Sequence, residues 1–460
     1  MRTLILSLLM AALAVSEPPP VYAVSMIVKN ERKILPRLFA SLSNYVSYYM
    51  ICDTGSTDGT PDFARKWLTT AQRASQGKRG MGAVHEDQWI GYAYNRNTCL
   101  RRLQDMAKTM TPRWITHVLL MDGDFELAVQ NETRFTTEAP PAAQNLIAYE
   151  GATFYRQPLL ISLDYRCGYL TVTHEYLMCV DNPNAYELLT TRPVLTPDMR
   201  HQIEASVDPK ARVANYDAIK IRHHMDGANR GDKFERDIAL LQNDIINNDP
   251  ENERSWFYLA RSLEDGGYPE KAFNAYLKRV EMGGHNQEEL WYSVLRMGYS
   301  LMANGSNIEE AARYFVDAFN YKPTRREPLA ALAKHYRMRG KYSACKMYGF
   351  YSLSLPLQTA LAENPLFLDL VPYEWGVHDD VALCMYELGE YEGAYLAGSF
   401  LVNNLANFRT LDAENAARIK ENFVHFGKKY TPPPPPAAPV SPAPSPAKKN
   451  ETVAVPVPKE

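Results

Sequence analysis

Two carboxylates, Asp122 and Asp124, follow an apolar run in the stretch VLLMDGDFEL at residues 118–127. An ionised carboxylate is costly to bury without compensation, so the two acids must lie on a polar turn or bind a positive charge. A divalent cation such as Mg²⁺ or Mn²⁺ prefers oxygen ligands and also takes phosphate oxygens. Gly123 between the acids would let a diphosphate approach the backbone closely. The stretch predicts a site for a divalent cation and for the phosphates that it neutralises.

Other polar residues also follow apolar runs. Asp53 ends the run YYMIC at 48–52, and Asn30 and Glu31 follow VYAVSMIV at 21–28. Helical patterns separate these runs, and short apolar strands that alternate with helices predict a parallel sheet covered on both faces. Ligands of such sheets bind beyond the carboxyl ends of the strands. The acids are therefore expected at one crevice, although Asp53 could instead cap an Asx-turn.

The second half of the chain has a different pattern. Residues 145–221 are strand-rich without clear intervening helices, and the chain is then helical almost to the C-terminal tail. A Gly-x-Tyr turn begins at Gly266, Gly340 and Gly389. The turn glycines, with Gly305 included, recur at intervals of roughly 35 to 50 residues, the range of helix-pair solenoids. The pattern predicts tetratricopeptide-like repeats, and a generic helical bundle is the less favoured alternative.

The motifs SMIVKNE, CDTGSTDGT, YAYNRN and MDGDFEL occur in this order, and together they resemble those of the family 2 glycosyltransferases, which have the GT-A fold. The resemblance is strong over residues 21–127 and continues more weakly to about residue 237. A subgroup of these enzymes carries tetratricopeptide-like C-terminal repeats. The resemblance implies an α/β GT-A domain with a Rossmann-like, mostly parallel sheet over residues 20–240. An all-α tetratricopeptide-like domain is expected to follow over residues 241–427.

The resemblance also implies roles for the acids. Asp124 would be the direct metal ligand, and Asp122 would contact the ribose or share the metal. Asp53 would accept a hydrogen bond from a uracil-type N–H of the nucleobase. Asn30 and Glu31 would lie beside the nucleoside, although Glu31 could equally be a solvated acid at a helix start. These roles predict a UDP-sugar as the donor substrate, with Mn²⁺ or Mg²⁺ as the metal.

Two basic side chains complete the predicted donor site. In this fold a histidine after the final strand often reaches back to the metal or diphosphate, which favours His223 over His224 in IRHHMDG as a third metal ligand. Neutral imidazole suits Mn²⁺ better than Mg²⁺. Arg96 in YNRN is expected to bind a phosphate or to pair with Asp122 in a structural salt bridge.

An inverting transfer also needs a general base that takes the proton of the acceptor. Related transferases have a His-Glu pair, and VTHEYL offers His174 and Glu175 in what reads as a strand. We expect Glu175 to be the base, with Asp164 behind it. Neighbouring strand residues point to opposite faces, so only one of His174 and Glu175 should face the site. A core histidine beside an exposed glutamate is the alternative.

The termini and the cysteines indicate the compartment. The sequence MRTLILSLLMAALAVSEPPP predicts a signal peptide over residues 1–16, and this segment is too short to span a bilayer comfortably. The protein is expected in the secretory pathway (the ER or Golgi lumen) or secreted, and in the cytoplasm if the segment is a buried helix instead. The six scattered cysteines predict no disulfide scaffold, although Cys167 and Cys179 could form a bridge. Residues 428–460 predict a disordered Pro-rich tail.

Composition narrows the function. With 50 basic and 53 acidic residues, the net charge of -3 offers no basic stripe for nucleic acid. The sequence predicts a metal-dependent hexosyltransferase that acts on a protein or glycan acceptor docked on the repeats, with inversion implied by the resemblance. A nucleotidyltransferase would need a Gly-rich phosphate loop after the first strand. The residues at that place, KNERKILP, include no glycine, so this alternative is disfavoured. The remaining alternative is a non-catalytic repeat scaffold with a relict transferase domain, which the intact Asp53, Asp122 and Asp124 disfavour.

Overall fold

The computed structural model describes residues 19–77, 79–110, 114–138, 143–150, 153–228, 231, 233–284, 286–305, 308–364 and 366–433. The predicted signal peptide and the Pro-rich tail beyond residue 433 lie outside these residues. The described chain consists of an N-terminal α/β domain, up to residue 228, and a helical domain from residue 233.

The α/β domain is built around a mixed sheet. Its elements, in chain order, are β1 (Tyr22–Val28), α1 (Leu35–Leu42), β2 (Val46–Asp53), α2 (Thr60–Ala74), β3 (Met81–Glu86), α3 (Tyr92–Thr109), β4 (His117–Leu120), β5 (Phe125–Val129), α4 (Glu132–Thr137), β6 (Ala143–Glu150), β7 (Thr153–Ser162), β8 (Arg166–Leu170), β9 (Tyr176–Val180), α5 (Pro183–Thr191), α6 (Pro197–Glu204) and β10 (Val213–His223). Eight strands follow the order β3-β2-β1-β4-β7-β6-β10-β5, and β8 pairs with β9 in a separate hairpin.

The first four strands confirm the predicted parallel arrangement. β1 pairs with β2 so that Val28 lies beside Asp53, and with β4 so that Ser25 lies beside Leu120. The carboxyl ends of β1, β2 and β4 therefore meet at one edge of the sheet. The chain adds β2 and β3 on one side of β1 and β4 on the other, which makes this edge a topological switch point where α/β sheets bind ligands.

The rest of the α/β domain departs from the prediction. β7 is antiparallel to β4 and β6, and β5 is antiparallel to β10, so the sheet is mixed. Residues 145–221, predicted without helices, contain α5 and α6. Asn182 and Thr196 cap these helices, and a proline follows each cap. A cap followed by proline is a helix-start signal, but each helix is too short to show a clear apolar period.

The helical domain confirms the predicted helix pairs. Its helices are α7 (Lys233–Asn247), α8 (Glu253–Asp265), α9 (Pro269–Met282), α10 (Gln287–Asn304), α11 (Ile308–Tyr321), α12 (Glu327–Met338), α13 (Tyr342–Leu353), α14 (Leu357–Glu363), α15 (Val371–Glu374), α16 (Gly376–Glu387), α17 (Tyr391–Asn404) and α18 (Ala413–Lys429), with a 3₁₀ turn at Leu405–Asn407. The turns within the pairs α8/α9, α10/α11, α12/α13 and α16/α17 place Gly267, Gly305, Gly340 and Gly389 at φ 81°, 67°, 67° and 77°. Glycine adopts this left-handed conformation without steric cost, which explains the recurring turn glycine.

The domain boundary lies earlier than predicted. Leu241 and Ile245 of α7 share a buried cluster with Phe257 of α8, so α7 belongs to the helical stack. The predicted boundary between residues 240 and 241 therefore cuts a single helix, and the helical domain begins at Lys233. Val172 of the α/β domain packs against the same cluster, so the two domains are in contact. None of the described helices is long and apolar enough to cross a membrane.

All six cysteines, each of them within the described residues, form disulfides. Cys167 and Cys179 bridge the β8–β9 hairpin. Cys52–Cys99 and Cys345–Cys384 close loops of 47 and 39 residues. The expectation that the scattered cysteines form no disulfide framework was therefore wrong. Only the Cys167–Cys179 bridge could be predicted from the sequence, because its cysteines lie on neighbouring strands. The cysteines of the other two bridges are distant in sequence and come together only in the tertiary structure.

Candidate active site

Hydrogen bonds join the loop that follows β1 to the loop that follows β2. Asn30 has a left-handed φ of 56°, and its Oδ1 accepts a hydrogen bond of 2.7 Å from the Thr57 N–H. The backbone N–H groups of Asn30 and Glu31 donate to the hydroxyls of Ser56 and Thr60 at 2.8 and 2.9 Å. The side chain of Asn30, which the resemblance places beside a nucleoside, thus fixes the loop in this structure.

Asp53 forms the Asx-turn that was its alternative role, and it keeps one carboxylate oxygen unused. Its Oδ1 accepts the backbone N–H groups of Gly55 and Ser56 at 3.0 and 2.9 Å, which is the Asx-turn alternative. Its Oδ2 is buried and has no hydrogen-bond partner. The turn uses one oxygen, and the other oxygen can still accept a hydrogen bond from a ligand.

Glu31 lies against the Asp-Gly-Asp turn. A Cβ at position 123 would come within 1.7 Å of Glu31 Oε2, so a larger residue there would require the glutamate side chain to move. The predicted close approach of a diphosphate to the Gly123 backbone stays a prediction. Glu31 Oε2 is buried without a hydrogen-bond partner. Burial, followed by the negative charges of Asp122 and Asp124, raises the pKa of Glu31 well above its ordinary value.

Arg96 connects Asp122 with Glu175. Its Nη1 donates to Asp122 Oδ1 and its Nε donates to Glu175 Oε1, both at 2.7 Å. The guanidinium also lies 5.6 Å from the centre of the Tyr169 ring. The predicted pairing with Asp122 is confirmed, and the same side chain holds the candidate base.

The two histidines of IRHHMDG contact different acids. His223 Nε2 lies 3.1 Å from Asp124 Oδ2, whereas His224 Nε2 lies 2.6 Å from Glu126 Oε2. The backbone N–H of His224 donates to the Asp124 carbonyl at 3.0 Å, so the end of β10 holds the Asp-Gly-Asp turn. Within the described residues, no three His, Cys, Asp or Glu side chains are arranged as a ready metal-binding group. The side chains of Asp124 and His223 contact each other, whereas Asp122 pairs with Arg96.

Asp164 does not belong to this site. Ser162 pairs with His117 at the start of β4, whereas Asp122 follows the end of β4. Asp164, two residues beyond Ser162, is exposed in a turn where the Ser162 hydroxyl donates to its Oδ2 at 3.0 Å. The prediction of a supporting role behind Glu175 was wrong, because the antiparallel course of β7 carries this turn to the opposite edge of the sheet.

His174 and Glu175 lie in a loop rather than a strand. The predicted strand over residues 169–180 is divided into β8 and β9, with residues 171–175 forming the connection. Thr171 and His174 have left-handed φ values of 76° and 50°. Strand alternation therefore does not apply, and both His174 and Glu175 line the same cavity.

This cavity has a volume of about 520 Å³ and lies between the two domains. The α/β domain contributes Arg96, Asp122 and Glu175. The helical domain contributes four lining residues that the sequence did not single out: Lys233, Asp237, Arg254 and Tyr258. They lie at ordinary helical spacings on α7 and α8, so no local pattern distinguishes them from a solvated helix face.

No protein-family model matches the chain, and no curated protein matches it. Similar solved structures include the putative kinesin light chain repeats of Podosopora anserina (16% identity, 39% of this chain and 87% of that chain, TM-score 0.30). BtubC of P. vanneervenii (13%, 43% and 81%, 0.34) and the Cut9–Hcn1 complex (16%, 42% and 34%, 0.32) are also similar. These TM-scores are too low to carry an argument, and the tetratricopeptide-like architecture rests on the helix pairs themselves.

Proposed function

We propose that the protein is a glycosyltransferase with a GT-A domain, and that it transfers a sugar from a UDP-sugar to an acceptor hydroxyl. One observation carries the proposal: Glu31, Asp122 and Asp124 crowd together beyond the carboxyl ends of β1 and β4. Burial is the largest cause that raises the pKa of Glu31, and the charges of Asp122 and Asp124 raise it further. The three acids together therefore carry an excess of negative charge. Such an excess suits a cation together with the diphosphate that it neutralises.

The residues fit a divalent cation. Asp124 would hold it together with His223, which lies 3.1 Å from Asp124, and Asp122 would have to share its carboxylate between the cation and Arg96. The unpartnered Glu31 Oε2 lies close to the turn. Carboxylate oxygens with one imidazole suit Mn²⁺. The bound cation would stabilise the negative charge that develops on the leaving diphosphate.

Asp53 supports the choice of a uracil nucleotide. Its buried Oδ2 lacks a partner, and a uracil N–H is the kind of donor that would satisfy it. The interlocked loops around Asn30 and Thr57 hold this carboxylate in place without a ligand, so the nucleobase would enter a preformed site.

The transfer itself is a single displacement. The acceptor oxygen bonds to the anomeric carbon while the bond from that carbon to the diphosphate breaks, and the diphosphate leaves with the electron pair. Glu175 takes the proton of the acceptor hydroxyl. Arg96 ties Glu175 to Asp122, so the proton-accepting end and the leaving-group end of the site keep a fixed separation. A displacement of this kind inverts the anomeric configuration.

The compartment proposed is the secretory pathway. Three disulfides support it, because disulfides persist in oxidising compartments and are rare in the cytosol. The predicted signal peptide agrees with it. Expression in a secreting cell should give a mature chain that begins near Glu17, whereas an intact Met1 on a cytosolic protein would contradict this proposal.

The activity is tested by incubating the purified full-length protein with a panel of nucleotide sugars, with Mn²⁺ and with excess chelator. Cation-dependent turnover of a UDP-sugar is the expected result. Asp62, which is exposed on α2 with 88% of its side chain accessible, provides the control substitution Asp62→Asn for Asp124→Asn. Full turnover in chelator would overturn the metal assignment, and turnover of no nucleotide sugar would overturn the activity.

A further inference from the structure

The helical domain supplies a buried carboxylate to the cavity. Asp237 of α7 is 1% exposed, lines the cavity and keeps Oδ1 without a hydrogen-bond partner. Burial is the main cause that raises its pKa, with a smaller contribution from Glu175, while Lys233, Arg236 and a hydrogen bond from the Thr173 side chain act in the opposite direction. A buried carboxylate with an unsatisfied oxygen is costly for the fold alone. Its position is explained if a ligand in the cavity donates a hydrogen bond to it.

The helical domain also holds the loop that carries Glu175. Arg254 Nη2 donates to the carbonyl of His174 at 3.0 Å, and the His174 ring stacks on the Tyr258 ring with 4.1 Å between their centres. The left-handed backbone at Thr171 and His174 is strained, and strain of this kind persists only where surrounding contacts fix it. The loop therefore depends on α8 for its conformation.

We propose that α7 and α8 complete an acceptor subsite at the domain junction. In this subsite Asp237 Oδ1 accepts a hydrogen bond from a hydroxyl of a saccharide acceptor, and Arg254 positions the loop that presents Glu175 to the reacting hydroxyl. The inference rests on the proposed function, since it names the acceptor class for the same reaction. Asp237 binds substrate, and Arg254 is a positioning residue.

The chemistry of the cavity favours a saccharide. Its volume of about 520 Å³ is within the range of sites that enclose small ligands. Its wall combines carboxylates, which accept hydroxyl hydrogen bonds, with four tyrosines: Tyr92, Tyr169, Tyr176 and Tyr258. Tyrosine presents an apolar ring and a polar hydroxyl, and a sugar likewise presents C–H faces and hydroxyl edges.

The test measures saccharide binding to the full-length protein by saturation-transfer NMR, without donor. The ligands are a panel of methyl glycosides and short oligosaccharides, with Ser/Thr peptides as the competing class. Asp237→Asn should weaken saccharide binding about tenfold or more, as expected for loss of a hydrogen bond to a charged group. The melting temperature should stay the same or rise, because the amide removes a buried charge. Glu235→Gln, an exposed change on the same helix, should bind as the wild type does.

Titration with UDP and Mn²⁺ separates this inference from the proposed function. UDP binding without saccharide binding, or saccharide binding that ignores Asp237→Asn, overturns the subsite. Binding of Ser/Thr peptides in place of saccharides overturns the acceptor class. Saccharide binding that depends on Asp237 in a protein that binds no UDP supports the subsite and contradicts the donor proposal.

Arg254 is tested by transfer kinetics. Arg254→Met should lower kcat about tenfold or more, as expected when a positioned group is misplaced, while the affinity for UDP stays unchanged. Arg261→Met is the matched control, since Arg261 is on α8 and lies 5.9 Å from the same Tyr258 ring. An equal fall in kcat for both variants, or no fall for Arg254→Met, contradicts the positioning role.

Discussion

The two domains differ in how their buried charges are satisfied. In the helical domain, Arg325 and Glu327 are almost fully buried with 2.7 Å between their charged groups. In the α/β domain, Glu31 and Asp53 each keep a buried oxygen without a hydrogen-bond partner. The Arg325–Glu327 pair is closed by hydrogen bonds to backbone groups and to Tyr373. A closed pair can stabilise the fold without further partners. An open carboxylate lowers stability until something positive or a hydrogen-bond donor reaches it.

The contrast has two instructive exceptions in the helical domain. Glu288 keeps Oε2 without a partner, but Lys322 neutralises it through its other oxygen. Asp237 also has an oxygen without a hydrogen-bond partner, and unlike Glu288 it lines the cavity between the domains. Among the described residues, the open oxygens of Glu31 and Asp53 lie in the α/β domain and that of Asp237 lines the cavity, and these three acids are the candidate functional ones.

Breaking the closed pair should have the largest effect. Arg325→Met leaves Glu327 buried and unpaired, so the free energy of unfolding should fall by about 3–5 kcal/mol. Chemical denaturation followed by circular dichroism measures it. Where the variant remains folded, UDP binding should be unchanged. A loss below about 1 kcal/mol would show that the pair is not a structural one.

Neutralising Asp124 should leave the fold intact and remove the activity. Asp124→Asn keeps the shape of the side chain but removes the charge that faces the cation. Turnover of the donor should fall about a hundredfold or more, as expected for a group that stabilises transition-state charge. Steady-state kinetics gives the rate, and a melting curve shows whether the fold is retained. A variant that turns over donor normally would remove Asp124 from the metal site.

Glu31 should respond in opposite ways in stability and in binding. Its raised pKa means that ionisation lowers stability as the pH rises above its ordinary value of 4.5. Glu31→Gln should therefore raise the melting temperature at pH 7 in chelator, while UDP binding with Mn²⁺ weakens about tenfold. Calorimetry in both conditions measures the two effects. A lower melting temperature would place Glu31 among the structural charges.

His174 at the domain junction should produce the smallest effect. Burial, with Lys233, Arg261 and Arg254 adding to it, lowers the pKa of His174 to about 3. As the pH falls, His174 is therefore protonated in the unfolded chain before it is protonated in the folded chain. The free energy of unfolding should decrease by about 0.7 kcal/mol between pH 7 and pH 6. His174→Asn, which tolerates the left-handed backbone, should reduce this slope. Exposed His201→Asn is the control, and an unchanged slope in His174→Asn would contradict the assignment.

The proposed donor side of the site was predictable because its residues are local in sequence. Asp53 and Asp122 each follow an apolar strand, and parallel strands bring such positions to one edge. The helix pairs were predictable for a similar reason, since turn glycines such as Gly340 mark them directly. In both cases a short stretch of sequence contains the whole signal.

The proposed acceptor side was not predictable in the same way. Asp164 is close to the strand-rich motifs in sequence, but the course of β7 carries it away from the site. Asp237 and Arg254 resemble ordinary helix-surface residues until the two domains meet. The loop at 171–175 interrupts a strand-like pattern, because its contacts with α8 outweigh strand propensity.

Titration calorimetry of UDP into the full-length protein, with Mn²⁺ and then with excess chelator, tests the central proposal most directly. It asks whether the open carboxylates bind a cation and a nucleotide diphosphate together. We expect saturable binding of one UDP with Mn²⁺, weakened about a hundredfold in chelator and in Asp124→Asn. Binding of equal strength in chelator, or no binding of UDP at all, would contradict it.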